Sequence, residues 1–311
     1  MILHPILPRR QGSALIAVFW MIAVLGLVIY AGAKALEADS SYSRQMRGRT
    51  YAKRLAQMGL EIGRHPSLPL HDPLLRYTSP EGGTYEVRIL AEEARLNINV
   101  LLQMDDKILL PRLFKAWGLE MDFAAGLRDA LKDWVDADSH VSLNGAEARD
   151  YEKAGLEGMP FNRPFQNVEE MLMVRGMAEL NALRPDWREW FTVYGDGRVD
   201  MNDARAELIA LLANVPVERV SPLLQLRAGV DGLQGTEDDA KLSSVPQVAQ
   251  LLGVYQPLVV EQLTQWIQFS GPIRRIESSG QFGDIRRRLV LITQNHKALW
   301  RGEIPTHGQT P

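Results

Sequence analysis

The sequence predicts an α+β protein in which a long N-terminal helix packs on a small antiparallel sheet, and a large all-helical segment interrupts that sheet. Three observations carry this expectation. Residues 13–33, SALIAVFWMIAVLGLVIYAGA, hold no charge, and no proline follows until Pro66. Thr84–Leu90 alternates apolar and polar residues, as a half-buried strand does. The next strand-like stretches, Arg274–Glu277, Arg286–Thr293 and Ala298–Ile304, come only after a long region of helical periodicity.

The uncharged stretch is 21 residues long. At about 1.5 Å per residue it spans a hydrocarbon core of about 30 Å. Arg9 and Arg10 precede it with no acid among the first 12 residues, which favours a cytoplasmic N-terminus. Three readings compete. A cleaved secretory signal could use Ala31-Gly32-Ala33 as its small-residue site, but its apolar region is ordinarily about 7–15 residues. A plain signal anchor is the second. The third is a leader of the prepilin type, cut on the cytoplasmic side between Gly12 and Ser13, with the apolar segment retained. Arg9-Arg10-Gln11-Gly12 followed by a small residue favours the third, since glycine lets the backbone extend into a peptidase site.

From residue 34 to 64 the helix continues. Tyr51, Leu55, Met58 and Ile62 step by four, three and four along one face, among Arg44, Arg47, Arg49, Lys53 and Arg54. A loop rich in Pro, His and Leu then leads to the turn Glu81-Gly82-Gly83 and the first strand. Helices are expected at Met121–Val135, Asn167–Met173, Ala204–Ala213, Arg219–Arg227, Val245–Leu252 and Leu258–Phe269.

Composition sets limits. The chain has 311 residues, 46% apolar and 23% charged, and no cysteine, so disulfide and thiolate chemistry are excluded. The net charge of −3 hides an asymmetry. Between Glu92 and Pro272 there are 17 Lys and Arg against 29 Asp and Glu, a net of −12, while the rest of the chain carries +9. The acidic middle is poorly suited to phosphate backbones, which are bound by clustered Lys and Arg. His4, His65, His71, His140, His296 and His307 show no zinc spacing, and no P-loop or G-x-S-x-G occurs. No catalytic constellation emerges, and the chain does not read as an enzyme. Trp117, Trp134, Trp187, Trp190 and Trp266 fit a core better than a ligand box.

Two acidic clusters qualify as cation sites. Asp133, Asp136 and Asp138 gather at a helix end, with Glu147 and Asp150 beyond a loop containing Asn144-Gly145. Carboxylates at this density suit Ca2+, which takes six to eight oxygen ligands, although the spacing is not that of an EF-hand. The second is the glycine-rich loop Gly229–Asp239, with Asp231, Glu237, Asp238 and Asp239. A solvated acidic turn is the alternative for both. Residues Val199–Pro216 and Val220–Arg227 resemble a helix-hairpin-helix. Its hairpin, Asn214-Val215-Pro216-Val217, lacks glycine, and Pro216 has no N–H for a phosphate, so packing is favoured over DNA binding.

The leader Arg-Arg-Gln-Gly before Ser-Ala-Leu-Ile-Ala-Val resembles type IV prepilins, and more narrowly the K-type minor pseudopilins of type II secretion systems. Glu93-Ala-Arg-Leu-Asn-Ile-Asn-Val100, Leu131-Lys-Asp-Trp-Val-Asp-Ala-Asp138 with Asn144-Gly-Ala-Glu147 and Tyr151, and Asn162-Arg-Pro-Phe165 with Val168–Gly176 extend the resemblance over nearly the whole chain. Most prepilins carry glutamate at the fifth mature position; here it is Ala17, and the K type typically lacks that acid. An unpaired acid in the bilayer costs about 2.5–3.5 kcal/mol, so Ala17 is compatible with a subunit at the filament tip, which has no neighbour above to supply an amine.

The resemblance implies a pseudopilin fold with residues 1–12 as leader, 13–33 as transmembrane helix, 34–94 as helix and first strand, 95–270 as inserted α-helical domain and 271–311 as C-terminal strands. It implies cleavage and N-methylation at Gly12 and Ser13 by a prepilin peptidase, and single-pass insertion in a bacterial inner membrane with the body in the periplasm. It also implies I- and J-type minor pseudopilins, other pseudopilins and the inner-membrane assembly platform as partners, and raises the calcium reading of the acidic cluster. A membrane-tethered DNA-uptake protein and a type IV pilus minor pilin are the rival functions.

Overall fold

A computed structural model describes residues 13–304. The leader, residues 1–12 with the cleavage residue Gly12, lies outside the described residues, as do His4 and His307. Helix α1, Ser13–Gly63, is unbroken over 51 residues, about 75 Å at the α-helical rise. Its Leu15–Ala35 stretch is long and apolar enough to cross a membrane. Residues 13–63 contain no proline and only isolated glycines, so nothing breaks the i→i−4 ladder.

The last part of α1 lies on a five-stranded antiparallel sheet of β1 (Arg76–Thr78), β2 (Thr84–Ala91), β7 (Ile273–Phe282), β8 (Ile285–Gln294) and β9 (Lys297–Ile304), in the order β1-β2-β7-β8-β9. The expected alternation holds: Tyr85 and Val87 turn inward with Ile276, Leu289 and Leu291, and meet Leu55, Ala56 and Leu60 of α1. Three of the four residues that periodicity picks out on α1 meet this core: Leu55 is buried and Tyr51 and Ile62 pack against it, while Met58 is 50% exposed. Small residues complete the contact. Gly59 faces Ser278 and Val87, Gly63 faces Ile276 and Val87, and Gly280 of β7 sits against the Ala52 carbonyl and the Ala56 amide. The reason is the close approach of helix and sheet, which large side chains would prevent. The other face of the sheet buries Ile273, Val290 and Ile292 against Tyr194.

Between the end of β2 and the start of β7 lie α2 (Ile98–Gln103), α3 (Leu109–Ala116), α4 (Met121–Val135), α5 (Ala148–Lys153), α6 (Met177–Leu183), α7 (Ala206–Ala213), α8 (Ser221–Arg227), α9 (Val245–Leu252) and α10 (Pro257–Trp266). Two short parallel ladders cross-tie them: β3 (Leu96–Asn97) with β4 (Phe191–Thr192), and β5 (Val199–Asp200) with β6 (Ile267–Gln268). One continuous core fills this region, with Trp134, Trp187, Trp190, Phe114 and Phe191 fully buried. Several expected helices shift. Val168–Met173 is a 3-10 segment, and the expected helix from Arg219 divides into a 3-10 turn, Val217–Val220, and α8. The expected helix reaching Phe269 stops at Trp266 because Ile267–Gln268 is taken by the β5 ladder.

A buried ionic network joins insertion and sheet. Glu92 and Arg95 stand where the chain leaves β2, and Arg275 and Glu277 lie on β7. Arg275 meets Glu277 at 2.6 Å and Glu92 at 3.3 Å, and Arg95 meets Glu92 at 3.4 Å and Glu277 at 3.6 Å. Burial alone would raise the Glu277 pKa, but Arg275 and Arg288 hold it below the ordinary carboxylate value. Burial likewise opposes the Arg275 charge, and Glu92 and Glu277 outweigh it. For Arg95, burial and then the neighbouring Arg275 charge outweigh Glu92 and Glu277, and its pKa falls to about 10.

Candidate functional site

The first acidic cluster forms where α4 ends. Asp133 is fully buried on the last turn, and its carboxylate accepts from the Ser142 N–H at 3.1 Å. Gly145 lies directly against that carboxylate, where any Cβ would overlap it. Asp136 caps the C-terminal end of α4, and Glu147 precedes α5, whose Asp150 carboxylate accepts from the Glu147 N–H at 3.3 Å. Arg175 closes the loop, donating to the carbonyls of Asn144 (2.7 Å) and Gly145. Beneath it, Trp134 packs edge-on to Tyr151 and Phe161 and stacks with Phe165.

The electrostatics are unbalanced here. Asp136 Oδ1 and both Glu147 carboxylate oxygens are buried with no hydrogen-bond partner of good geometry. Burial first, then the neighbouring Asp133 and Asp138 carboxylates, push Asp136 and Glu147 above their ordinary values. Asp138 is exposed and held low by the backbone and ring N–H groups of His140. The structure therefore brings Asp133, Asp136 and Glu147 to one spot, with Asp138 and Asp150 at its rim. Among the described residues, no three His, Asp or Glu side chains converge tightly enough to hold a metal ion as they stand.

The second cluster is built differently. Gly229, Gly232 and Gly235 take positive φ and fold Gly229–Asp239 into an exposed loop. Its carboxylates are already engaged. Asp238 Oδ2 accepts from the N–H groups of Val230 (2.6 Å) and Asp231 (3.1 Å), and Asp239 Oδ2 accepts from Gly235 (2.7 Å). Thr236 donates to Asp238 Oδ1, and Asp231 Oδ1 accepts from Leu233. Glu237 turns away toward His71 at 3.6 Å.

The hairpin-like unit is α7, a turn and α8. Asn214 supplies the left-handed position that glycine ordinarily fills, at φ 54°, and its side-chain oxygen accepts from Arg112 at 2.6 Å. The tip itself is exposed, with Asn214, Pro216 and Val217 at the surface. Sequence reasoning missed the polar ties that order this region. Asn97 caps α2 and donates to the Tyr194 and Gly195 carbonyls, and the Asn99 amide exchanges two 2.9 Å hydrogen bonds with the Phe165 backbone. The stretch Glu93–Val100 carried the signal, but the partners lie up to about 100 residues away.

A spanning-length helix laid on a small antiparallel sheet, with helices inserted between two of its neighbouring strands, defines the pseudopilin-like α+β class. Residues 94–186 match the family described as type II secretion system (T2SS), protein K. The chain is 25% identical over 258 residues to the type II secretion system protein K of Pseudomonas aeruginosa, covering 75% of this chain and 76% of that one. It is 31% identical over 169 residues to the protein of the same name from Klebsiella pneumoniae, covering 49% and 51%. A solved structure described as the GspK-GspI-GspJ complex of the enterotoxigenic Escherichia coli type 2 secretion system contains a chain of the same fold. The TM-score is 0.60 at 16% identity, over 87% of this chain and 99% of that one. The chain is therefore similar in sequence to type II secretion system protein K over about three quarters of its length, and shares its fold with a chain of that solved complex.

Proposed function

We propose that the protein is a minor pseudopilin of a type II secretion system, anchored by α1 in the inner membrane with its body in the periplasm, and that it occupies the filament tip. The carrying observation is the shared fold with the chain solved in the GspK-GspI-GspJ complex, over almost that chain's whole length. Its partners would be the I- and J-type minor pseudopilins, then the other pseudopilins and the assembly platform. The bulk of the insertion beside the sheet would obstruct another subunit packing above it. The role is structural rather than enzymatic, and the chain is itself the substrate of a prepilin peptidase that cuts between Gly12 and Ser13 and methylates the Ser13 amine. Co-purification of the full chain with I- and J-type partners tests the assembly role, and failure to co-purify would count against it. Co-expression with a prepilin peptidase should lower the mass by residues 1–12; an unchanged mass would refute the cleavage. The acidic surroundings, and a hairpin without glycine in which Pro216 has no N–H to offer a phosphate, disfavour the DNA-binding reading.

Calcium forms part of the same proposal. Orphaned oxygens on Asp136 and Glu147 fit a hard cation, which would be held by Asp133, Asp136 and Glu147 with Asp138 and Asp150 at the rim, after modest side-chain movement. Bound there, the ion would neutralise the buried carboxylates and fix the loop between α4 and α5. At the second loop Asp231, Glu237, Asp238 and Asp239 would first have to release backbone amides. A chelator should lower the melting temperature by several degrees, as loss of a ligand specific to the folded state does. No shift would leave both clusters as acidic turns.

A further inference from the structure

An open groove of about 1020 Å³ lies between the sheet and the insertion. Its floor is a strand edge that the sheet does not use. β7 pairs with β2 along its whole length to Ala91. On the other side β1 pairs only with Thr84–Glu86. Among the described residues, no strand pairs with Val87–Ala91 on the groove side. That free length is about 17 Å.

Parity shows which backbone groups face the groove. The Ala91 N–H points into it, because it donates to Asp203 Oδ2 at 2.6 Å. In an antiparallel ladder successive residues direct their N–H and C=O to opposite edges. Ile89, two residues back, therefore presents both its N–H and its C=O to the groove. The facing wall adds a donor without an acceptor. Arg227 lines the groove and is only 6% exposed. Its Nη1 donates to the carbonyls of Met201 (3.3 Å) and Ala204 (2.7 Å), while its Nε is buried with no partner. Along the same wall four acids, Asp200, Asp203, Glu237 and Asp239, outnumber two bases, Arg227 and Lys241.

We propose that this groove takes an extended segment of a partner polypeptide as an added strand beside Ile89, in line with β1, with a basic side chain toward the acidic wall. The argument for a strand over other ligands is the pattern itself. A backbone donor and acceptor on one residue, at a free edge with room beside it, are matched by another backbone. β1 already shows that a three-residue stretch can use the adjoining part of this edge. The inference does not depend on the secretion role.

The test uses the full chain in detergent micelles and the heptapeptide acetyl-TVKVTVT-amide. The control is the same peptide N-methylated at alternate residues, which keeps the side chains and removes the donors on one edge. Amide hydrogen exchange at Val87–Ala91 is the readout. The plain peptide should slow exchange at Ile89 by about tenfold, and the N-methylated peptide should not. Absence of protection at Ile89 with millimolar peptide would overturn the proposal, as would equal protection by the methylated control. Either failure leaves assembly with other pseudopilins intact, so the two readings are tested separately.

Discussion

The helix-on-sheet body and the helical insertion are held together in opposite ways. In the body, contact depends on what is missing: Gly59, Gly63 and Gly280, with Ala52 and Ala56, let α1 and β7 approach closely. In the insertion, contact depends on what is present: fully buried tryptophans and phenylalanines fill the space among short helices. The body should therefore be intolerant of added volume, and the insertion of removed volume.

Trp134→Ala removes the centre of the aromatic cluster under the acidic loop and should cost about 3–5 kcal/mol in chemical denaturation. Gly280→Ala puts a methyl group onto the Ala52 carbonyl, where backbone must move, and should cost about 2–3 kcal/mol. A neutral Gly280→Ala would break the comparison outright.

The two regions should also differ in their response to pH. Asp200, in the insertion, has a pKa raised to about 6, chiefly by burial. The folded state thus holds its proton more tightly than the unfolded chain. This group's contribution to stability falls as pH rises from about 4 to about 6 and is flat above. Asp200→Asn keeps an acceptor for the Asn202 N–H and should stabilise the protein by about 1–2 kcal/mol at pH 7, with little effect at pH 4. Glu277, at the junction, has a depressed pKa. Its contribution is present above about pH 4 and is lost as pH falls through the folded value. Denaturation midpoints across pH 3–8 for the parent and Asp200→Asn would separate these opposite slopes. The smallest effect is expected at Ser244→Ala, which removes the side-chain cap on α9 and should cost about 1 kcal/mol.

The sequence made the body easier to read than the insertion. Alternation located β2, β8 and β9 to within a residue or so and the first half of β7, whose second half, Ser278–Phe282, carries polar and glycine residues that hide its period. β1 left no trace, being three exposed residues. Met58 was misplaced because periodicity weighs large apolar side chains, whereas this interface selects for their absence. In the insertion α4 and α9 were legible from their apolar stripes. α2, α5 and α6 run six or seven residues and show barely one turn of pattern. Neighbouring carboxylates at 133, 136 and 138 marked the first acidic cluster, but not that Glu147 would be buried beside them at the start of α5. The network of Glu92, Arg95, Arg275 and Glu277 was invisible, since its halves are about 180 residues apart.

Ala91 and Arg274 are direct partners across the β2–β7 ladder, so the chain leaves the sheet and re-enters it at the same rung. Closing a flexible loop of about 180 residues would cost roughly 4–5 kcal/mol in chain entropy before any rung forms. An insertion that has already condensed, with Glu92 and Arg275 presented side by side, removes most of that search. The insertion thereby stands in for a hairpin turn: its two ends meet at one rung, and from there the β2–β7 ladder runs out along α1.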